Sequence, residues 1–527
     1  MKKIFYIIIT VAVLSGCDKK LDLVNPNYPT TASFWKTADD AFSAVNTIYN
    51  SLTLDGTYNR SFPGLQDSRG EDIKGDSPWG DLVSVGQFTI PNTSAPVEWI
   101  WRDFYLTIGR ANRVIENVGT YSGRDLSADA KNRILGQAYF LRALSYFSLI
   151  TNFEKIPLVT KPPVSKDDYY PATANTEDVW NQIYEDLKLA EEYLPLNYDN
   201  VTGPDKGQKG RATKGAAAGL LGKAYVYQKR WDLALQQFEK FVLPTGILYG
   251  KYSLMPNYRD NFSNIGENNA ESLFEVQFDS SFGSDGNWTG EPNANWRQFA
   301  AFSVTYAPRG FSDNGVQYGG YKDYIPTGYL RNQYKAETTT DGKSDPRLLA
   351  TICSFEPADN STKVYGVEWP YGVNEVFLRK YTHDGLNFTG PETFETGDIN
   401  YRVLRYADIL LLHAETLNEL SRTAEAYPFI QLVRNRARLK DLATVKPNMD
   451  QEQMRDQIAH ERLLEFAVEG QRIHDLIRWG WFYKTDKLAQ LKAADSDFNT
   501  WKPGKEYLPI PLFELNANKN LSPNSAN

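Results

Sequence analysis

Apolar side chains recur at helical spacing over long stretches of this chain, which is the pattern of a helix with one buried face. This spacing predicts helices near Asp39, over Val97–Val118 and over Thr176–Leu194, the last followed by Pro195. Further helices are predicted over 402–421, 424–440, 451–468 and 471–483. The longest pattern runs from Asp129 to Asn152, with one face formed by Leu135, Tyr139, Leu141, Leu144 and Phe147.

Residues 212–243 carry the spacing of a tetratricopeptide repeat. In such a repeat, small residues let two antiparallel helices approach and aromatic residues fill the remaining gaps. The pattern is repeated in part by Leu135-Gly136-x-x-Tyr139 and more loosely by Ala414, Ala426 and Ile430, where an unrelated helical hairpin remains an alternative. One helix pair cannot bury its own face, so several pairs must stack. The repeat itself contains Leu221-Gly222-x-x-Tyr225, Trp231, Ala234 and Phe238.

The helical pattern lapses between residues 244 and 400, which are rich in Gly, Asn, Asp, Ser, Tyr and Trp. Only short strand-like runs stand out there, at Leu273–Phe278 and Val376–Lys380. Long irregular segments in a compact protein usually carry function. Prolines make Tyr507–Pro511 extended. Together the patterns predict a mostly α protein: a right-handed helical-repeat, tetratricopeptide-like scaffold with a loop-rich insert that contains short strands.

The first residues have the organisation of a secretory signal. Lys2 and Lys3 precede an apolar run over 4–14, which is too short for a bilayer core that needs about 20 residues. Leu14-Ser15-Gly16-Cys17 resembles a bacterial lipobox, whereas an ordinary signal peptide would need no Cys there. We therefore expect a signal peptide (1–16), a lipidated tether (17–30) and one domain (31–527). That domain divides into N-terminal repeats (31–243), a ligand-binding insert (244–400) and C-terminal helices with an extended tail (401–527).

Charge and cysteine content limit the function further. The net charge of −8 and the pI near 5.4 give no electrostatic reason to bind nucleic acid. Only Cys17 and Cys353 are present, so lipidation of Cys17 leaves no partner for an intrachain disulfide. An exported protein of this kind depends on its hydrophobic core for stability.

The charged segment 458–480 is the strongest candidate for catalysis. Glu461, Glu465 and Glu469 recur every fourth residue and share a helix face. Arginines interleaved with them should lower the pKa of the carboxyls, the opposite of what a general acid needs. We therefore expect an ion-pair network that fastens the last helices to the repeats.

No motif for a catalytic triad, phosphate loop, dinucleotide, zinc or calcium site stands out. The chain has four histidines, of which only His383 is predicted in a loop. A glycosidase needs only two suitably spaced carboxylates and stays an alternative. The sequence predicts a protein that is not an enzyme and has no cofactor or metal.

Aromatic and planar polar residues outside the periodic helices point to saccharide binding, because sugar C–H faces pack on Trp or Tyr and hydroxyls bond to polar groups. Trp99, Trp101, Trp180, Trp231 and Trp479 lie in helical patterns and are predicted to be core. For each loop aromatic, packing of the loop onto the scaffold is the alternative role. The candidate ligand contacts are Arg69, Asp72, Trp79, Trp288, Trp296, Arg297, Arg309, Tyr321, Tyr324 and Trp369.

Several blocks in order resemble the SusD/RagB family of Bacteroidetes outer-membrane lipoproteins. The tail departs from the pattern, with Ser522-Pro523-Asn524 where relatives more often have a Gln-Asn pair. The blocks are Trp99-Ile100-Trp101 with 109–115, then 138–159, 210–227, Glu271–Val276, Asp345–Leu348, Tyr401–Glu415, Leu432–Arg438, 458–480 and 507–524.

The resemblance implies a monomeric α-helical scaffold of four repeat units. It implies a lipid-anchored protein on the extracellular face of a Gram-negative outer membrane, which delivers oligosaccharide or polysaccharide to a SusC-like TonB-dependent transporter. Capture of peptides or host glycoconjugates on the same scaffold is an alternative. A repeat scaffold that binds only protein and a surface hydrolase are the others.

Overall fold

The computed structural model describes residues 34–282, 299–386, 388–393 and 396–527. Helices dominate these residues, as the hydrophobic periodicity predicts. They are α1 (Ala38–Ser51), α2 (Ser61–Asp67), α3 (Gly80–Ser84), α4 (Ala95–Thr120), α5 (Ala128–Phe153), α6 (Thr176–Tyr193), α7 (Lys214–Tyr227), α8 (Trp231–Val242), α9 (Phe302–Tyr306), α10 (Gly328–Ala336), α11 (Arg347–Thr351), α12 (Tyr406–Glu419), α13 (Thr423–Arg436), α14 (Leu442–Val445), α15 (Gln451–Phe466), α16 (Arg472–Arg478), α17 (Thr485–Ala494) and α18 (Leu512–Ala517).

The strands of the described residues are short and form antiparallel pairs only. The pairs are β1 (Ile73–Gly75) with β5 (Tyr324–Pro326), β2 (Ser272–Val276) with β10 (Tyr401–Arg405), β3 (Phe311–Asp313) with β4 (Val316–Tyr318), β6 (Ile352–Ser354) with β9 (Val376–Leu378), and β7 (Lys363–Val364) with β8 (Val367–Glu368).

Successive helices from α4 to α8 pack against one another, and α12 and α13 form a further pair that packs on α8. The tetratricopeptide-like spacing predicted over 212–243 is confirmed in α7 and α8. A Cβ on Gly222 would lie 2.5 Å from the Phe238 ring, so only glycine allows this approach. Tyr225 and Ala234 are buried beside that contact. No helix in the described part of the chain is long and apolar enough to cross a membrane.

Two predicted helices have wrong boundaries. Residues 401–405 form β10 rather than the first turn of a helix over 402–421, because they pair with β2. The helix begins at Tyr406, whose backbone N–H donates to the Glu271 carbonyl at 2.8 Å. The helix predicted over 471–483 ends at Arg478, since Gly480 has a φ of +68° and a left-handed residue terminates a helix.

The three glutamates of the charged segment form ion pairs, as predicted, but their cations come from other elements. Glu465 contacts Arg405 at 3.0 Å, Arg347 at 3.2 Å and Arg436 more closely. Glu469 pairs with Lys380 at 2.6 Å. Burial raises the pKa of Glu465, but the three arginines outweigh it and lower that pKa to about 2. The network therefore ties α15 to the insert as well as to neighbouring helices, and its carboxylates are unsuited to act as acids.

Candidate functional site

Two half-buried tryptophans and an arginine form an aromatic surface next to β1. The ring centroids of Trp79 and Trp99 are 5.9 Å apart, with the rings tilted by 56°. The guanidinium carbon of Arg60 lies 5.8 Å from the Trp79 centroid and 5.5 Å from that of Trp99. At these separations the cation interacts favourably with both ring faces. Arg60 also pairs with Asp55 at 3.1 Å, which holds its side chain in place.

Local backbone geometry brings Arg60 to the two indoles. Residues Asp55–Asn59 form a π-helical turn that packs against α4. A Cβ on Gly56 would lie 2.0 Å from the Trp99 carbonyl oxygen, so the turn can approach α4 only because residue 56 is glycine. The Gly56 N–H donates to Asp103 on α4 at 2.9 Å. Trp79 itself precedes α3 and its backbone N–H donates to the Ser77 hydroxyl at 3.1 Å.

The strand pair β1–β5 brings part of the insert beside Trp79. Asp76 follows β1, and its backbone N–H donates to the Asp323 carbonyl at 2.7 Å. The Lys322 ammonium pairs with the Asp76 carboxylate at 2.6 Å. Burial raises the pKa of Asp323, although a hydrogen bond from Ser77 and the charge of Arg60 oppose the shift. Tyr321, next along the chain from Lys322, is 51% exposed.

A second aromatic group is linked through the backbone to the segment that precedes Tyr321. The Gly310 N–H donates to the Gly320 carbonyl at 3.0 Å, which places Arg309 beside the segment that precedes Tyr321. The Arg309 guanidinium lies 5.6 Å from the centroid of Tyr371. Trp369 meets Tyr371 edge to face at 5.3 Å, and its indole N–H donates to the Gly372 carbonyl at 3.2 Å.

We call Trp79, Trp99, Tyr321, Tyr371 and Trp369 the aromatic strip. Apart from exposed Tyr321, its members are half-buried, so each ring is partly packed and partly open to solvent. Lys322 and Arg309 lie beside it with accessible charges, whereas Arg60 is buried against the two indoles. Aromatic faces with planar polar groups beside them suit a ligand that has C–H faces and hydroxyl edges.

A buried histidine holds the backbone from which Tyr321 extends. His383 contacts Glu392 at 2.7 Å through Nδ1 and Asp398 at 2.8 Å through Nε2. The Glu392 backbone N–H donates to the Gly319 carbonyl at 2.9 Å. Burial lowers the pKa of His383, but its two carboxylate partners outweigh burial and raise that pKa to about 9. His383 thus links Glu392 and Asp398, and Glu392 in turn holds the backbone two residues before Tyr321.

Three predicted ligand contacts are wrong, because Arg69, Asp72 and Tyr324 are each only 1% exposed. Arg69 donates to the carbonyls of Leu65 and Glu506 at 3.0 Å, which joins α2 to the C-terminal tail. Burial lowers its pKa to about 9. Asp72 lies beside buried Glu71. Burial is the main cause that raises the pKa of Asp72, and the negative charge of Glu71 raises it further.

Tyr324 packs edge to face on Tyr306 at 5.5 Å. Segment 67–72 lies outside the periodic helical pattern, yet its charged side chains are buried and most of them have partners inside the protein. An example is the pair formed by Glu71 and Arg472.

The remaining predicted ligand contacts fall into two groups, one at the aromatic strip and one outside the described residues. The aromatic strip contains three of them, Trp79, Tyr321 and Trp369, and Arg309 lies beside it. Trp288, Trp296 and Arg297 lie outside the described residues, as does Cys17.

The sequence prediction missed Trp99, which was assigned to the core. Trp99 and Trp101 are two positions apart on α4, and such residues do not share a helix face. Trp101 is buried, so Trp99 had to lie towards the surface.

Within the described ranges, no group of three or more His, Cys, Asp or Glu side chains is placed to hold a metal ion. Cys353 is buried. Burial raises the pKa of its thiol, so it is not a reactive thiolate.

Comparison with known proteins agrees with this architecture. A family model described as starch-binding, associating with the outer membrane, matches residues 37–226, and the SusD family model matches residues 270–526. SusD-like protein P25 of Formosa agariphila is 25% identical over 92% of this chain and 91% of its own length.

Two solved structures show the same fold. A SusD superfamily protein of Bacteroides vulgatus has a TM-score of 0.76 and 26% identity, over 94% of this chain and all of its own. A laminarin-binding SusD-like protein has a TM-score of 0.72 and 26% identity, over 93% of this chain and 99% of its own. The two family models together span both the helical repeats and the C-terminal part, and the chain belongs to the SusD/RagB family.

Proposed function

We propose that this protein is a cell-surface lipoprotein that binds oligosaccharide or polysaccharide and delivers it to a SusC-like TonB-dependent outer-membrane transporter. The observation that carries the proposal is the pair of half-buried indoles of Trp79 and Trp99 with the Arg60 guanidinium against both. Indole faces pack on sugar rings, and buried Arg60 holds the two indoles in place. The relative described as laminarin-binding, at 26% identity, supports a saccharide as the ligand class.

The number of rings in the aromatic strip favours a glycan chain over a single sugar. The strip contains five rings, with Lys322 and Arg309 beside it. Rings spaced along a surface can each contact a different sugar unit, and weak contacts made by one chain act together. We therefore expect affinity to rise with oligosaccharide length.

Anchoring and delivery rest on the first residues and on the family. The signal-like segment 1–16 and Cys17 support a lipid anchor, and the tether then leads to the described domain at Phe34. The family description that names association with the outer membrane supports the location. In this proposal the protein carries out no chemistry on the glycan.

The experiment that tests the function is affinity gel electrophoresis of residues 18–527 against plant, fungal and host polysaccharides. Each polymer is also incubated with the protein and assayed for new reducing ends. Retardation by a polymer, lost in Trp79→Ala and without new reducing ends, supports the proposal. No retardation by any polymer would favour a peptide or protein ligand, and new reducing ends would show a hydrolase.

A further inference from the structure

A second cleft lies between the helical repeats and the C-terminal segment, apart from the aromatic strip. Its volume is 280 Å³. The turn between α7 and α8, the ends of α12 and α15, and residues 478–487 form its walls. It shares no residue with the aromatic strip. The lining residues that carry the argument are Lys229, Trp231, Glu415, Trp479, Trp481 and Lys484.

Tryptophan rings form the inner surface of this cleft. Trp479 is fixed in orientation, because its indole N–H donates to Glu415 Oε1 at 2.8 Å and the Arg478 guanidinium lies 4.8 Å from its centroid. Trp481 packs 5.6 Å from Trp479. Trp231, predicted to be core, is half-buried and packs in part against the main hydrophobic core. Trp231 lines the cleft with the part of its indole that is not packed on the core.

The charges of the cleft leave two cations available. Most lining charges neutralise one another, as in the pairs of Arg455 with Glu419 at 2.7 Å and of Lys487 with Asp456. Lys229 and Lys484 are exposed, and neither forms an ion pair with a described residue. Lys229 is held beside Trp231 by the left-handed turn, with φ of +54°, that joins α7 to α8. The lining as a whole has five cations and four carboxylates.

We propose that this cleft is a second saccharide site, specific for a pyranose that carries a carboxylate, such as a hexuronic acid. The ring would pack on Trp231 and the carboxylate would bind Lys229 and Lys484. The volume is just below the range of about 300–1,000 Å³ that holds a drug-sized ligand, so it suits a short saccharide unit. The ligand class rests on the proposed function, but the residues are separate from the aromatic strip.

The test uses isothermal titration of residues 18–527 in a Trp79→Ala background, so that the aromatic strip is impaired. The probes are tetragalacturonate, neutral galactotetraose and tetraglutamate. We expect tetragalacturonate to bind more tightly than either of the other two. The double variant Lys229→Gln/Lys484→Gln should weaken its binding roughly tenfold or more, since hydrogen bonds to a charged group are lost. Both lysines are exposed, so these substitutions leave the fold intact.

Lys166→Gln/Lys206→Gln is the matched control, because it removes two exposed lysines elsewhere. Trp231→Ala, accepted only if its circular dichroism spectrum is unchanged, should also abolish the preference for tetragalacturonate. Equal binding of galactotetraose, or equal binding of tetraglutamate, would overturn the proposal. So would binding that survives the lysine variant. Binding of neutral glycans by the parent protein, with no binding of tetragalacturonate in the Trp79→Ala background, would support the proposed function and refute the second site.

Discussion

Trp79 and Trp99 lie 5.9 Å apart although Trp79 precedes the short helix α3 and Trp99 belongs to the long helix α4. One ring is therefore held by a loop and the other by the scaffold. Arg60 contacts both, so the loop position is coupled to the helical framework. A platform fixed before the ligand arrives loses less entropy on binding than a mobile loop would.

We predict that Trp79→Ala weakens binding of the retarding polysaccharide by ~1–3 kcal/mol, because stacking and desolvation at one aromatic ring are lost. Titration with oligosaccharides measures the change. The thermal unfolding curve should stay close to that of the parent protein, since Trp79 is only half-buried. Phe513→Ala is the control, because Phe513 is a 65% exposed aromatic on α18, outside the aromatic strip. Equal affinity for both variants and the parent would refute the placement of the site.

His383 should make the stability of the protein depend on alkaline pH. Its pKa of about 9 lies above the ordinary value of 6.5, so the stabilisation is fully present below pH 6.5 and is lost as the pH rises through 9. His383→Gln should therefore lower the unfolding temperature at pH 6 by more than at pH 10. Thermal melts of both proteins across this range provide the measurement. A difference that stays constant with pH would show that folding does not raise the pKa of His383.

Glu465→Gln should destabilise the fold by about 3–5 kcal/mol at pH 7, because three buried arginines lose a carboxylate. The pKa of Glu465 is lowered to about 2 from 4.5, so its contribution is present above pH 4.5 and is lost as the pH falls towards 2. Urea unfolding at pH 7 and pH 3 gives both values. In the control, Glu452→Gln, an exposed pair with Arg455 is removed at a cost below about 1 kcal/mol. Similar losses for the two variants would contradict a buried network.

Cys17→Ser should release the protein from the membrane fraction, because the lipid chains and not the polypeptide would provide the anchor. Fractionation of cells that express each form, followed by immunoblotting, measures the distribution. The folded domain should be unaffected, with an unchanged unfolding curve. Retention of the serine variant in the membrane would rule out lipidation at this position as the anchor.

The helices could be predicted from the sequence because hydrophobic spacing and capping residues are local features. Thr37 and Asp40 form a capping box at the start of α1, close to the predicted start at Asp39. The predicted segment Thr176–Leu194 differs from α6 by one residue, and Asn175 caps it. Gly222 could be assigned to a close helix contact because its spacing to Tyr225 and Phe238 follows the repeat pattern.

The interior charges were misassigned because their partners are distant in sequence. Glu71 pairs with Arg472, 401 positions away, and nothing in the local pattern of residues 67–72 indicates that contact. The same holds for residues 402–405, where pairing with β2 overrides helical periodicity. Asp72 and Arg69 therefore resembled loop residues available to a ligand.

The sequence by itself determined the helical scaffold, the repeat in α7 and α8, the irregular insert and the family. Hydrophobic periodicity, capping residues and the order of the family's sequence blocks can all be read without knowing which residues meet in space. Only the tertiary structure decided which aromatic residues share a surface. It joined Trp79 to Trp99 and Arg60, and it placed Arg309 beside the segment that carries Tyr321. Those relations depend on packing between elements far apart in sequence, where burial and charge pairing select among many side chains of the same type.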